Sequence, residues 1–290
     1  MRYKSPLYNA AYCYLPYAVP ILFLSSHNWQ PSPAIKLSLL VLVGAIAITL
    51  WHPGMWRWTA GIVLVNHLIL TLAGLIPRST LLGPNITRLP EDAARRGEIA
   101  ITIDDGPDPE VTPQVLDILG RYQAKATFFC IGMRAAQHPE LCREIVRQGH
   151  TIENHSLSHQ WFFALLGPWR MHREVREAQA VLGEISGQMP RFFRATAGLR
   201  NPLLEPVLAR CGLRLCSRSK RGFDTRVGDA DAVLYSLTRD IKAGDILLLH
   251  DGSAARTKNG KPVILDVLPP LLDKLALANL RPVTLRSAIP

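Results

Sequence analysis

The sequence predicts an α/β fold built on a parallel sheet and preceded by an apolar helical region, and three observations carry that expectation. From residue 98 onward, short apolar runs alternate with amphipathic helical patterns, the signature of repeated β-α units. Long, nearly uncharged apolar stretches occur only before residue 77. The residues that can do chemistry gather where the apolar runs stop, which in a parallel sheet is one common end.

Taken in order, three apolar segments come first. Residues 12–26 are interrupted by Pro16 and Pro20; residues 34–51 carry only Lys36 near one end; residues 59–76 hold Asn66 and His67 near their middle. The last two approach the ~20 residues that cross a bilayer, and Trp51, Trp56 and Trp58 between them suit an aromatic belt. Because the segments follow one another, a cleaved signal peptide is not the expected reading. The expected organisation is a transmembrane region of about three helices over 1–77, a polar Pro- and Gly-containing linker over 78–97, and an α/β domain over 98–290. Three crossings starting with Arg2 and Lys4 inside place that domain outside the cell (inner) membrane, in the periplasm or its equivalent. Two crossings would place it inside, and Arg78, Arg88, Arg95 and Arg96 pull that way. Three spans are taken as the expectation.

Within the domain the candidate strands are 99–103, 126–131, 150–153, 191–194, 213–217, 245–249 and 282–285. Helical patterns fall near 112–121, 137–148, 170–186, 203–210, 229–238 and 264–278. In the longest, Met171, Val175, Ala178, Leu182 and Ile185 recur at spacings of three and four, which lines one apolar face. The sheet can be open or closed into a barrel.

The net charge is +10 over 290 residues, without the clustered Lys/Arg and interleaved aromatics of a nucleic-acid site, so no nucleic acid is expected as a partner. Anionic lipid headgroups or a phosphorylated substrate fit that charge better. The five cysteines, Cys13, Cys130, Cys142, Cys211 and Cys216, have no metal-like spacing and read as buried free thiols.

The run Ile99–Ile103 stops at Asp104 and Asp105, and Gly106-Pro107 then turns the chain. Two carboxylates at the end of a buried strand repel and lose solvation unless a cation lies between them, an arrangement suited to one metal ligand and one general base. After the strand 150–153 come His155 and His159, four apart, which on a helical turn share a face and can bind one metal. Two imidazoles and a carboxylate leave positions open for water and substrate. Strand 191–194 ends at Arg194, a cation able to orient a carboxylate. Strand 245–249 ends at His250, poised for proton transfer near neutral pH.

These motifs resemble the metal-dependent polysaccharide deacetylases, carbohydrate esterase family 4. Thr102–Pro107 reads TIDDGP against the family's TFDDGP, His155–His159 matches HxxxH, and Leu247–Asp251 matches LLLHD. The resemblance spans about Glu98 to Leu285 and implies an irregular, seven-stranded (β/α) barrel, (β/α)7, that removes N-acetyl groups from amino sugars. By carry-over, Asp105, His155 and His159 hold one divalent metal, most often Zn2+. Asp104 is the general base, His250 protonates the leaving amine, Leu248 lines the acyl-methyl pocket, and Arg194 orients Asp104.

Two departures stand out. The family's RPPYG is Arg194-Ala195-Thr196-Ala197-Gly198 here; Ala197 still offers the backbone N–H that serves the oxyanion. The segment Arg218–Asp224 lacks the family's Trp, and Asp224 is the expected partner of the catalytic His. Arg200, Arg218, Lys220 and Arg221 are expected to make a basic rim, which fits an anionic or lipid-phosphate-linked sugar. The sequence thus reads as a membrane-anchored hydrolase deacetylating an acetylated amino-sugar glycan or lipid-linked saccharide, with membrane lipids as its other partner. The same residues could serve a deformylase of a lipid-phosphate-linked amino sugar, or persist in an inactive, membrane-tethered carbohydrate-binding protein.

Overall fold

β1 (Glu98–Asp104) is the strand on which the sheet is assembled, in a computed structural model that describes residues 29–290. The apolar segment 12–26 and Cys13 lie outside the described residues. The other strands are β2 (Thr127–Cys130), β3 (Thr151–Asn154), β4 (Phe192–Phe193), β5 (Arg214–Leu215), β6 (Lys220–Arg221), β7 (Ile246–His250) and β8 (Arg281–Val283). The helices are α1 (Pro33–Trp51), α2 (Trp56–Leu75), α3 (Glu91–Arg95), α4 (Thr112–Arg121), α5 (Gly132–Gln137), α6 (Pro139–Arg147), α7 (Pro168–Ser186), α8 (Leu204–Arg210), α9 (Ala230–Thr238), α10 (Val263–Leu277) and α11 (Leu285–Ala288).

Every strand ladder is parallel, in the order β5-β4-β3-β2-β1-β7-β6, and β8 pairs with Glu98–Ala100 of β1. No ladder joins β5 to β6, yet only residues 216–219 connect them. Five Cα steps reach about 18 Å, whereas the edges of a flat seven-strand sheet would lie about 29 Å apart. The sheet therefore curls into a half-barrel whose edges approach without bonding. The expected barrel is open at this point.

Strand alternation sorts β1 into two layers. Ile99, Ile101 and Ile103 pack outward with Val115, Leu119 and the apolar face of α10, while Ala100 turns inward beside Phe129, Phe192 and Ile246. Burial on both faces explains why the strand reads as an unbroken apolar run. Each such side chain contributes about 1.5–3 kcal/mol by leaving water. The period of two carries inward-facing Thr102 and Asp104 to the C-terminal mouth of the half-barrel.

The helices α1 and α2 lie side by side, joined by hydrogen bonds of Asn66 to Ser38 (2.9 Å) and between the hydroxyls of Thr49 and Thr59 (2.7 Å). Their apolar side chains face outward: Leu40, Leu50 and Leu64 are 69, 78 and 71% exposed. Both are long and apolar enough to cross a membrane.

Several elements differ from expectation. The helix near 137–148 is two helices, because His138 leaves the helical region (φ −130°, ψ 56°) before Pro139 and the chain restarts there. β6, α3 and α11 are too short for periodicity to announce. The segment 78–97 packs on the domain: Leu82 and Leu89 are buried, Ile86 bridges to Cys216, and Arg88 pairs with Asp245. Cys130, Cys142, Cys211 and Cys216 are buried free thiols.

Candidate active site

Asp104 ends β1, and His250 ends β7 as its direct cross-strand partner. His155 follows β3, Arg194 follows β4, and Ser217 and Arg218 follow β5. Because the strands are parallel, all these residues reach the same end of the sheet. They line one cleft of about 300 Å³ together with Asp105, His159, Ala197 and Leu248.

The Asp105 carboxylate is the centre of one corner. Its Oδ1 lies 3.1 Å from Nε2 of both His155 and His159, and the three candidate ligand atoms fall within 4.8 Å of one another. His155 Nδ1 donates to the Arg194 carbonyl at 2.8 Å, so that whenever the ring is neutral its lone pair lies at Nε2, while the protonated ring donates from Nε2 to Asp105. Two imidazole nitrogens and one carboxylate oxygen converging this way are a donor set that fits a divalent metal. Burial alone would raise the Asp105 pKa, but hydrogen bonds from His155 and His159 hold it well below the usual carboxylate range. Burial would likewise lower the His155 pKa, and the Asp104 charge and the Asp105 hydrogen bond raise it instead. Both directions express one fact: this corner gathers negative charge and accepts positive charge.

The HxxxH segment is not helical, contrary to the sequence reading. Ser156 and His159 have φ of 65° and 53°, and the Ser156 N–H is taken by Asn154 Oδ1 at 2.9 Å. Asn154 is itself held by the Val175 carbonyl and Gln179, while Glu174 binds the N–H and hydroxyl of Ser158. The two histidines are brought together by a loop pinned to α7. Asp105 also sits at positive φ, 72°, and Arg134 binds its carbonyl at 2.6 Å.

Beside this corner, Arg194 Nη1 donates to Asp104 Oδ1 and to Thr102 Oγ1, each at 2.7 Å. Its other nitrogens bond to the carbonyls of Cys216 (3.2 Å) and Ser217 (2.7 Å), and the guanidinium stacks 4.1 Å over Phe129. So many contacts leave the guanidinium one orientation, and with it the Asp104 carboxylate. Opposite, His250 Nδ1 donates to Asp224 Oδ1 at 2.9 Å, and the His250 N–H to Oδ2 at 2.7 Å. Burial lowers the His250 pKa, but the Asp224 hydrogen bond and charge outweigh it and raise it.

Ala197 lies in a short turn at φ 55°, followed by Gly198 at φ 74°. A Cβ on Gly198 would crowd Pro77 and Arg218, so the close approach of these segments requires glycine there. Of the expected basic rim, Arg200, Arg218 and Arg221 line the cleft, but Lys220 does not: its Nζ is drawn away to the Arg239 carbonyl. Burial and the neighbouring Arg221 and Arg194 push Arg218 down to about 10. The sequence reading missed Pro77, Thr225, Arg226 and Ser253, which also line the cleft, and Thr102 and Arg134 beneath it. Only Thr102 had a signal, as the first letter of the TIDDGP motif.

A profile described as polysaccharide deacetylase matches residues 91–216. A peptidoglycan-N-acetylglucosamine deacetylase of Bacillus cereus is 33% identical over 162 residues, covering 55% of this chain and 75% of that protein. A chitooligosaccharide deacetylase of Bradyrhizobium sp. (strain ANU 289) is 35% identical over 162 residues, covering 56% and 74%. Among solved structures, a peptidoglycan N-acetylglucosamine deacetylase bound to an N-oxidanyl-benzamide matches with TM-score 0.63 and 26% identity, over 70% of this chain and 92% of that one. The family 4 carbohydrate esterase from Streptomyces lividans, in complex with acetate, matches with TM-score 0.59 and 28% identity, over 66% and 95%. By sequence and by fold, this chain belongs to the polysaccharide deacetylase family, carbohydrate esterase family 4, the carbohydrate deacetylases that hydrolyse amide bonds.

Proposed function

We propose that this chain is a membrane-anchored, metal-dependent N-deacetylase acting on an acetylated amino sugar of a cell-envelope glycan or lipid-linked saccharide. The observation that carries the reading is the pairing of Asp104 and His250 across β1 and β7, beside the convergent Asp105, His155 and His159. A divalent metal held by those three residues, Zn2+ by the family's habit, would supply Lewis-acid polarisation and make water acidic near neutral pH. The remaining work falls to the chain's own groups. Asp104, fixed by Arg194, takes a proton from the attacking water. The Ala197 N–H donates to the carbonyl oxygen as negative charge develops on it. His250 gives its proton to the departing sugar nitrogen, and Asp224 holds the ring in the tautomer and charge state that allow this. Leu248, on the cleft wall, packs against the acyl methyl.

The anchor is assigned to α1 and α2, with the region before 77 as the membrane part and 98–290 as the catalytic domain. With the three crossings expected from the sequence, α1 and α2 being two of them, the domain lies on the outer side of the cell (inner) membrane. Arg218, Arg221 and Arg226 line the cleft, and none has a carboxylate partner among the described residues. They favour a substrate that carries a phosphate or another anion over a neutral oligomer. The test is acetate and formate release by the full chain in detergent from acetylated amino sugars with and without a lipid phosphate. Faster acetate release from the phosphate-bearing sugar supports the reading. Equal rates would remove the anionic substrate, and formate release alone would make the enzyme a deformylase.

A further inference from the structure

The chain has six tryptophans, and the fold sorts them to the two ends of the α1–α2 pair. Trp51, Trp56 and Trp58 lie at the turn, 84, 56 and 75% exposed. Trp29 precedes α1 at the open end of the pair, where Ser32 Oγ donates to the Leu81 carbonyl at 2.7 Å. The remaining two come from the catalytic domain, Trp161 in the loop that follows His159 and Trp169 in the first turn of α7. They are 81 and 84% exposed, and Leu165 between them is 80% exposed.

That loop is tied to the open end of the helix pair. Asn201 Nδ2 donates to the carbonyls of Ala164 (2.9 Å) and Leu166 (3.2 Å). The neighbouring Arg200 donates its backbone N–H to the Gly74 carbonyl (3.1 Å) and its guanidinium to the Ser79 carbonyl. The approach is close enough that a Cβ on Gly74 would run into the Arg200 carbonyl. Leu72 and Leu75 on α2, Ile76 just after it and Leu203 near Asn201 are exposed, as are Leu165 and the two tryptophans. Helices of 19 and 20 residues span about 30 Å, the thickness of a bilayer's hydrocarbon core. Trp29 and the tryptophans of the turn are thus about one bilayer apart, the segment carrying Trp161 and Trp169 is tied to the Trp29 end, and Trp favours the headgroup boundary on each side.

We propose that segment 161–169, with Trp29 and the end of α2, is a second interfacial anchor that seats the catalytic domain on the bilayer crossed by α1 and α2. The proposal rests on the membrane reading above. Its occupant is the headgroup boundary of that same bilayer, because the segment is tied to the open end of the helix pair, presents Trp161, Leu165 and Trp169 exposed, and carries exposed Arg170 that suits lipid phosphates. Pro77, two residues beyond α2, lines the catalytic cleft. The anchor therefore holds the mouth of the cleft at headgroup level, where a membrane-borne amino sugar meets Asp104 without leaving the bilayer.

The test uses the full chain carrying Asp104→Asn, so that turnover plays no part, with Trp29, Trp51, Trp56 and Trp58 changed to Phe. The protein is placed in nanodiscs of phosphatidylethanolamine and phosphatidylglycerol brominated near the top of the acyl chains. The account expects Trp161 and Trp169 emission to be quenched by the brominated lipid and shielded from iodide. Emission untouched by bromine and freely quenched by iodide overturns the anchor. A companion protein keeping only Trp51 separates the two readings: Trp51 quenched while Trp161 and Trp169 are not overturns the anchor alone, and neither quenched overturns the membrane reading. In otherwise native protein, Trp161→Ser with Trp169→Ser should slow hydrolysis of a bilayer-embedded substrate about tenfold and leave a short soluble acetylated oligomer unaffected. Equal loss on both substrates would assign the tryptophans to the cleft and overturn the proposal.

Discussion

On the wall of the cleft made by β1, β3 and β7, the ionisable side chains that reach the cavity are each held by another group of the protein. Asp104 is clamped by Arg194, Asp105 by two histidines, His155 by a carbonyl, and His250 twice by Asp224. On the wall made by residues 197–226, the strands are two residues long, the backbone takes positive φ at Ala197, Gly198 and Phe223, and Arg218, Arg221 and Arg226 line the cavity without carboxylate partners among the described residues. The contrast separates two tasks. A proton transfer needs groups whose geometry is settled before substrate arrives, whereas charges left uncompensated are completed by what binds. The first wall carries the family's motifs nearly letter for letter, and the second carries this chain's own departures.

If that division is right, damage to the first wall strikes kcat. His250→Ala should lower kcat by about 10²–10⁴ with little change in KM, read from steady-state acetate release. Asp224→Asn should cost on the order of 10² in rate and also move the pH profile. His250 must be protonated to act as the acid, so activity falls as pH rises through its pKa. Asp224 raises that pKa, so its loss should shift the alkaline limb of kcat/KM to lower pH. An unmoved limb would detach Asp224 from the catalytic proton.

The second wall should respond in KM. Arg218→Gln or Arg221→Gln should raise KM for a phosphate-bearing sugar about tenfold, the loss expected for one hydrogen bond to a charged group, with a smaller change for a neutral chito-oligomer. A fall in kcat of equal size on both substrates would dissolve the distinction between the walls. The smallest effect lies at the opposite end of β3. Burial pushes His150 down to about 4, so folding favours its neutral form. That stability is present above the unfolded pKa near 6.5 and is lost as pH falls from there towards 4, by about 3 kcal/mol. His150→Gln should flatten this acid loss in denaturant titrations while leaving the pH–rate profile in place.

What the sequence made legible divides along the same line. Strand ends on the first wall could be read because a run such as Ile99–Ile103 is apolar on both faces and stops abruptly at its carboxylates. Asp224 was readable only by its place relative to the family's motif, since nothing local marks a carboxylate that bonds a histidine 26 residues away. β6 was missed because Lys220 and Arg221 are charged and the strand is held by two ladder positions on β7, not by any pattern of its own. The HxxxH pair was read as helical from its spacing alone. What sets it instead is the Asn154 side chain taking the Ser156 N–H two residues on, and Glu174 reaching across from α7 to Ser158, sixteen residues away. Arg226 and Pro77 reach the cleft only because the sheet curls and α2 ends there, and no window of sequence contains that information.

The most direct test of the account measures metal content and acetate release together in wild type, Asp104→Asn and His155→Ala. The division of labour in the first wall predicts that Asp104→Asn keeps its metal and releases no acetate, while His155→Ala loses both. Acetate release that survives Asp104→Asn, or metal and activity that survive His155→Ala, would contradict it.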